Sequence, residues 1–336
     1  MSSHQSNKAV IAALSANLFI AVTKFGAWAL TGAASMLAEG VHSVADSANQ
    51  ILLLRGGATA KRQATAEHPF GYGRARYINA FLVSIILFSL GGLFALYEAY
   101  HKVEETLAGH ENELLNSEWW WVPLVVLGLA IVAEGASLRT AVKESLPSKG
   151  RQSWSRFIKT SKSPELPVVL LEDFAALLGL LFALIGVGMT LLTHNPYWDA
   201  VGTALIGILL LLVAITLAIE TRSLLLGEAA SPAAVTNITT ALAGADGVTR
   251  VIHLKTLHLG PEEILVAAKI AVEPTESAAR VATVIDNAEV AIRAAEPWVT
   301  ALYLEPDIDR GLAPAEPHAA TAEQATARAG QLPLAP

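Results

Sequence analysis

Six runs of the chain, about residues 9–31, 34–55, 77–100, 120–141, 166–193 and 197–220, are apolar over roughly the 20 residues an α-helix needs to cross hydrocarbon. That pattern predicts an α-helical membrane protein with six transmembrane helices. Hydrophobic residues make up 53% of the 336 and charged residues only 16%, a balance unusual for a water-soluble chain of this length. There is no cysteine, so disulfides and thiolate metal sites are excluded, and any metal chemistry must use imidazole and carboxylate. The net charge of -7, with scattered basic residues, gives no electrostatic basis for nucleic-acid binding. The opening "MSSHQSNK" is polar, and the apolar run after it lacks an early basic region and a small-residue cleavage site. A retained first helix is expected.

Basic residues set the orientation, because Lys and Arg gather on the cytoplasmic side. The 55–76 connection holds Arg55, Lys61, Arg62, Arg74 and Arg76. The 139–164 connection holds Arg139, Lys143, Lys149, Arg151, Arg156, Lys159 and Lys162. The 101–118 connection has one Lys against five Glu, and the other two outer turns have neither Lys nor Arg. Both termini are therefore expected in the cytoplasm.

After residue 226 the pattern becomes that of a small water-facing domain. "SPAAVTNITTALAGADG" reads as a helix, "VTRVIHLKTLHLG" and "EEILVAAKIAVEP" as strands, "TESAARVATVIDNAEVAIRAAEP" as a helix opened by a Thr cap, and "WVTALYLEP" as a last strand. In the second strand Ile264, Val266, Ala268, Ile270 and Val272 share one face. An αββαβ order predicts a two-layer, ferredoxin-like domain with helices on one face of a three-stranded sheet. The expected organisation is a transmembrane domain over 1–226, a cytoplasmic domain over 227–309 and a disordered Ala/Pro-rich tail over 310–336.

The second run, "LAEGVHSVADSANQ" over residues 37–50, carries Glu39, His42, Asp46 and Asn49 where lipid would penalise them. On a helix His42 and Asp46 stand one above the other at i, i+4, and Glu39 precedes His42 by three. An imidazole and a carboxylate so placed form half of a site for a divalent borderline metal, and the other half must come from another helix. The fifth run, "LPVVLLEDFAALLGLL", offers Glu172 and Asp173. Glu39 reads equally well as a structural residue near the outer interface. Glu134 in the fourth run is expected to pair with a buried Ser or with Lys24 of the first, and Asp199 to cap the sixth helix.

"GAASMLAEGVHSVADSANQ" in helix two, "HPFGYGRARY" before helix three and "WDAVGTALIG" opening helix six resemble the cation diffusion facilitator family of metal/proton antiporters, over about residues 9–308. The resemblance implies a homodimer in which each protomer carries one metal ion between helices two and five and exchanges it for protons by alternating access. His42 and Asp46 match the family's helix-two His-xxx-Asp, a His there implying zinc. Asp173 matches the helix-five Asp, while the family's His position is Val169. A branch of the family carries the Glu172–Asp173 pair, and Glu172 lies about 100° round the helix from Asp173, so it can join only if helix five rotates or starts irregularly. In the loop site that some members build, Glu67 and His68 remain but Tyr72 replaces the second His. In the cytoplasmic domain Lys269 and Tyr303 stand where ligands are expected, and His253 and His258, an odd number of strand positions apart, point to opposite faces.

The expected metal set is therefore His42, Asp46, Glu172 and Asp173. Binding requires deprotonated carboxylates and a neutral imidazole, so a proton gradient can drive metal the other way. The expected activity is efflux of a divalent cation, zinc first, with Mn2+, Fe2+, Co2+ and Cd2+ as other candidates. No prosthetic group is implied, and the setting is the cell membrane of a prokaryote. An intramembrane hydrolase is disfavoured, since no His-Glu-x-x-His string occurs and neither Ser43 nor Ser47 sits in a strained elbow motif. A non-transporting metal sensor or scaffold remains as the alternative.

Overall fold

A computed structural model describes residues 3–310, with the backbone alone for 3–16. The expectation for the tail falls on 310–336 and lies, from residue 311 on, outside the described residues. Two compact units result. The first takes in the chain up to Glu228 together with His258–Glu263, and the second Ala229–Leu257 with the chain from Ile264 on.

Six long helices build the first unit: α1 (Ser3–Thr31), α2 (Ala34–Ala60), α3 (Ala75–Leu107), α4 (Val122–Lys149), α5 (Glu165–Thr193) and α6 (Tyr197–Leu226). Their positions follow the six apolar runs. Four of them, α3 to α6, are long and apolar enough to cross a membrane. Of the other two, α1 has 29 residues and α2 has 27, and α2 is the helix that spreads ionisable groups along its length. Gly32, at φ 61°, makes the left-handed turn that lets α2 fold back on α1.

Small residues let the helices approach closely, since lipid supplies no hydrophobic drive between them. A Cβ on Gly186 of α5 would lie 3.3 Å from the Cα of Gly202 on α6. The apolar run of α3 is not α-helical throughout: Leu87–Leu93 forms a π-helical stretch. Its Gly92 sits so close to α6 that an added Cβ would meet Leu211 Cδ2 at 2.5 Å, which fits a local widening that seats α3 against its neighbour.

After α6, α7 (Pro232–Ala243), β1 (Arg250–Gly260), β2 (Glu263–Val272), α8 (Ala278–Ala295) and β3 (Val299–Ile308) follow the expected αββαβ order, and all but the β1–β2 turn end of this sheet belongs to the second unit. The sheet order is β1-β2-β3, and β2 pairs in parallel with β3 through the α8 crossover. Ile264, Val266, Ala268, Ile270 and Val272 enter one core with Ile238, Leu242, Val284, Ala288 and Ile292 of the two helices. The period-2 face read from β2 is the buried one. One detail differs: Ser277, not the expected Thr, caps α8 by accepting from Arg280 N.

Asp199 also does something other than expected. Although it lies in the first turn of α6, its carboxylate accepts from the backbone N–H groups of Ala34 and Ser35 at 2.7 and 3.3 Å, and from the Ser35 hydroxyl. It caps α2, across 165 residues of chain. The α2 N-terminus has no capping side chain of its own, because Ala33 occupies the cap position, so its free donors take a buried acceptor from α6. Asp199→Ala should lower the stability of the detergent-solubilised protein by about 0.5–2 kcal/mol, while Asp199→Asn, which keeps one acceptor, should lose less. Equal loss in both variants would contradict the capping role.

Candidate metal centre

The polar face of α2 is built by spacing: Glu39, His42, Asp46 and Asn49 recur at steps of three, four and three, so all lie within one stripe of the helix. The stripe faces protein. Glu39, His42 and Asn49 are at most 1% exposed and Asp46 is 16% exposed.

Lys24 of α1 enters this stripe near its N-terminal end. Its ammonium donates to Glu39 Oε2 and to Ser43 Oγ, each at 2.8 Å, with both charged side chains buried. Glu39 is thus the buried partner of the Lys24 ammonium. Its other oxygen, Oε1, lies where a Cβ on Gly179 of α5 would come within 2.7 Å, so a side chain there would push the Glu39 carboxylate aside. The expected Lys24–Glu134 pair is not formed, because Glu39 already holds the ammonium across the α1–α2 turn. Glu134 instead lines a narrow cleft with Asn17, Ile20, Ser43 and Asp46, within charge reach of Asp46 and Asp173.

Deeper in the stripe the groups are left open. Neither ring nitrogen of His42 has a hydrogen-bond partner among the described residues, and Asp46 Oδ1 has none either. His42 Nε2 stands 3.5 Å from Asp46 Oδ2 without making a hydrogen bond to it. Leaving such atoms buried and unpaired costs about 1–3 kcal/mol each. Imidazole nitrogen and carboxylate oxygen are also the donors a borderline dication takes.

From α5, Glu172 and Asp173 project to different neighbours. Glu172, 6% exposed, accepts from Asn49 Nδ2 of α2 at 2.7 Å. Asp173, half-buried, accepts from Ser137 Oγ of α4 at 2.8 Å. Helix α5 is regular from Glu165 on, and from it Glu172 reaches Asn49 of α2. Asp46 lies within charge reach of both α5 carboxylates. As the side chains stand, no three His, Asp or Glu groups among the described residues converge closely enough to hold a metal ion. The sequence reading missed Asn49 as the residue that ties α2 to α5. Its place at i+3 from Asp46 on the same stripe was the available signal.

The remaining candidates are occupied otherwise. Glu67, His68 and Phe70 are exposed, the His68 and Tyr72 rings meet edge to face at 4.6 Å, and Arg62 lies over Tyr72. His253 is exposed. His258 is buried, with Nδ1 3.1 Å from the Gly260 carbonyl oxygen, and burial pushes its pKa down. Lys269 bonds Glu305 at 2.9 Å and Asp307 at 3.2 Å, and those carboxylates hold its ammonium above the usual range. The two acids therefore already have a cation. Tyr303 is exposed.

Comparison with known proteins accords with the helical unit. The family described as "Cation efflux transmembrane domain" matches residues 10–226. The human protein named proton-coupled zinc antiporter SLC30A9, mitochondrial, is 32% identical over 266 residues, covering 78% of this chain and 45% of that protein. Metal tolerance protein C4 of Arabidopsis thaliana is 29% identical over 79% of this chain and 57% of its own length. Manganese efflux system protein MneP of Bacillus subtilis (strain 168) is 22% identical over 77% of this chain and 82% of its own. The chain spans about half the length of the first two of these relatives. It belongs to the cation efflux family of transporters, the cation diffusion facilitators.

Proposed function

We propose that the protein exports a divalent cation, zinc first, across a membrane in exchange for protons. The site lies between α2 and α5 and is built from His42, Asp46, Glu172 and Asp173. The observation that carries this reading is the set of buried, unpartnered donor atoms on His42 and Asp46, set beside two α5 carboxylates inside apolar helices. Only a ligand that pays back their desolvation gives such atoms a use. The names of the relatives, a zinc antiporter and a manganese efflux protein, support the same class of cargo.

The residues divide the work. His42 and Asp46 supply one nitrogen and one oxygen from α2, Glu172 supplies the oxygen that Asn49 does not hold, and Asp173 supplies an oxygen once released from Ser137. Each protonatable ligand must lose its proton for the cation to bind, so metal and protons compete for one place. Exposure of that place to each side in turn converts the competition into exchange. The six helices all cross the bilayer in this reading, with both termini in the cytoplasm, and residues 227–309 join two copies into a homodimer without a metal clamp. A prokaryotic cell membrane is the setting.

Radioactive zinc uptake into proteoliposomes tests the reading: an imposed pH gradient should accelerate it. Zinc binding without gradient-dependent flux would favour the sensor alternative. Glu172→Gln keeps volume and the Asn49 contact but removes a charge, so it should weaken zinc binding at neutral pH about 10–100-fold and lower the protons released per zinc. Parent-like binding and proton release in that variant would make Glu172 a packing residue.

A further inference from the structure

We infer that Asn49 is a specificity-determining residue of the α2–α5 site, holding Glu172 with its amide nitrogen and offering its amide oxygen to the cation. This rests on the proposed site. Asn49 is fully buried, and its Nδ2 donates to Glu172 Oε1 at 2.7 Å. The carboxylate accepts only, so the network assigns the nitrogen to that side and the oxygen to the other. That oxygen, Oδ1, is buried with no hydrogen-bond partner among the described residues. It stands on the stripe of His42 and Asp46, at i+7 and i+3. The α2 side of the site thus carries three groups with open atoms: an imidazole, a carboxylate and a neutral carbonyl oxygen.

The third group changes which cations the site takes. Tetrahedral zinc is satisfied by imidazole and carboxylate alone, whereas a harder cation such as Mn2+ prefers a larger, oxygen-rich sphere in which an amide carbonyl is a normal ligand. Asn49 therefore widens the site toward Mn2+ beyond what His42 and the acids give.

Two near-isosteric variants separate the roles. Asn49→Leu removes both polar atoms, and Asn49→Asp keeps the oxygen while losing the donor to Glu172. In proteoliposomes the measurement is the Mn2+ concentration that halves zinc uptake. It should rise about tenfold in Asn49→Leu and not in Asn49→Asp. Zinc uptake by the parent that Mn2+ does not inhibit, or the same half-inhibiting concentration in parent and Asn49→Leu, overturns the inference. If Asn49→Leu carries no zinc, Asn49→Asp decides alone: half-inhibition at or below the parent's Mn2+ concentration supports it, and a higher one overturns it. Asp46→Ala in the same assay marks the underlying reading, since parent-like uptake there removes the site itself, and the inference with it.

Discussion

Asp46→Ala is expected to abolish zinc transport, and Asp173→Ala likewise, whereas His42→Ala should only weaken it. The difference lies in charge. Each Asp removes a negative charge opposite a dication in a low-dielectric setting, while His42 contributes a neutral nitrogen that water can replace. Asp46 and Asp173 are each within charge reach of Glu134, of Glu172 and of one another, so the loss of either is felt across the whole site. Uptake in the Asp46→Ala variant within tenfold of the parent would remove Asp46 from the site. Because the Asp46 carboxylate caps no helix and only one of its oxygens faces His42, stability should change little. A melting temperature near the parent's, alongside lost uptake, would separate binding from folding.

The second large effect concerns stability. Lys24→Met leaves Glu39 buried at 0% exposure without its cation and should cost about 3–5 kcal/mol, the range for breaking a buried pair by removing one partner. Ser43 loses its donor at the same time. Lys24→Met with Glu39→Gln removes both charges and should recover most of the loss, because the pair itself offers little net stability over neutral groups of similar size. Chemical unfolding of the detergent-solubilised protein reads this directly. A loss below about 1 kcal/mol in the single variant would mean that Glu39 takes up a proton or water without penalty.

How much of this was legible depends on distance along the chain. Hydropathy and period located six helices and the αββαβ unit, because both signals are local to each element. The stripe on α2 was legible for the same reason: steps of three and four fix phase within one helix. Phase between helices is not written locally. Asp199 reads as a cap for its own helix, yet it meets Ala34 and Ser35, more than 160 residues away along the chain. Lys24 offers several acidic partners by sequence, and only the α1–α2 turn at Gly32 selects Glu39 over Glu134. Glu172 and Asp173 are adjacent, and the packing of α5 between α2 and α4 decides which faces Asn49 and which faces Ser137. The π-helical stretch in α3 likewise answers to Leu211 of α6, not to its own residues alone.

The central claim is that zinc and protons compete for the carboxylates between α2 and α5. Proteoliposomes with a trapped pH indicator and no imposed gradient test it most directly when zinc is added outside. Zinc uptake by the parent should drive protons out and raise the lumenal pH, and the Asp46→Ala, Asp173→Ala double variant should show neither uptake nor pH change. Zinc-driven proton movement that survives in the double variant would contradict the account.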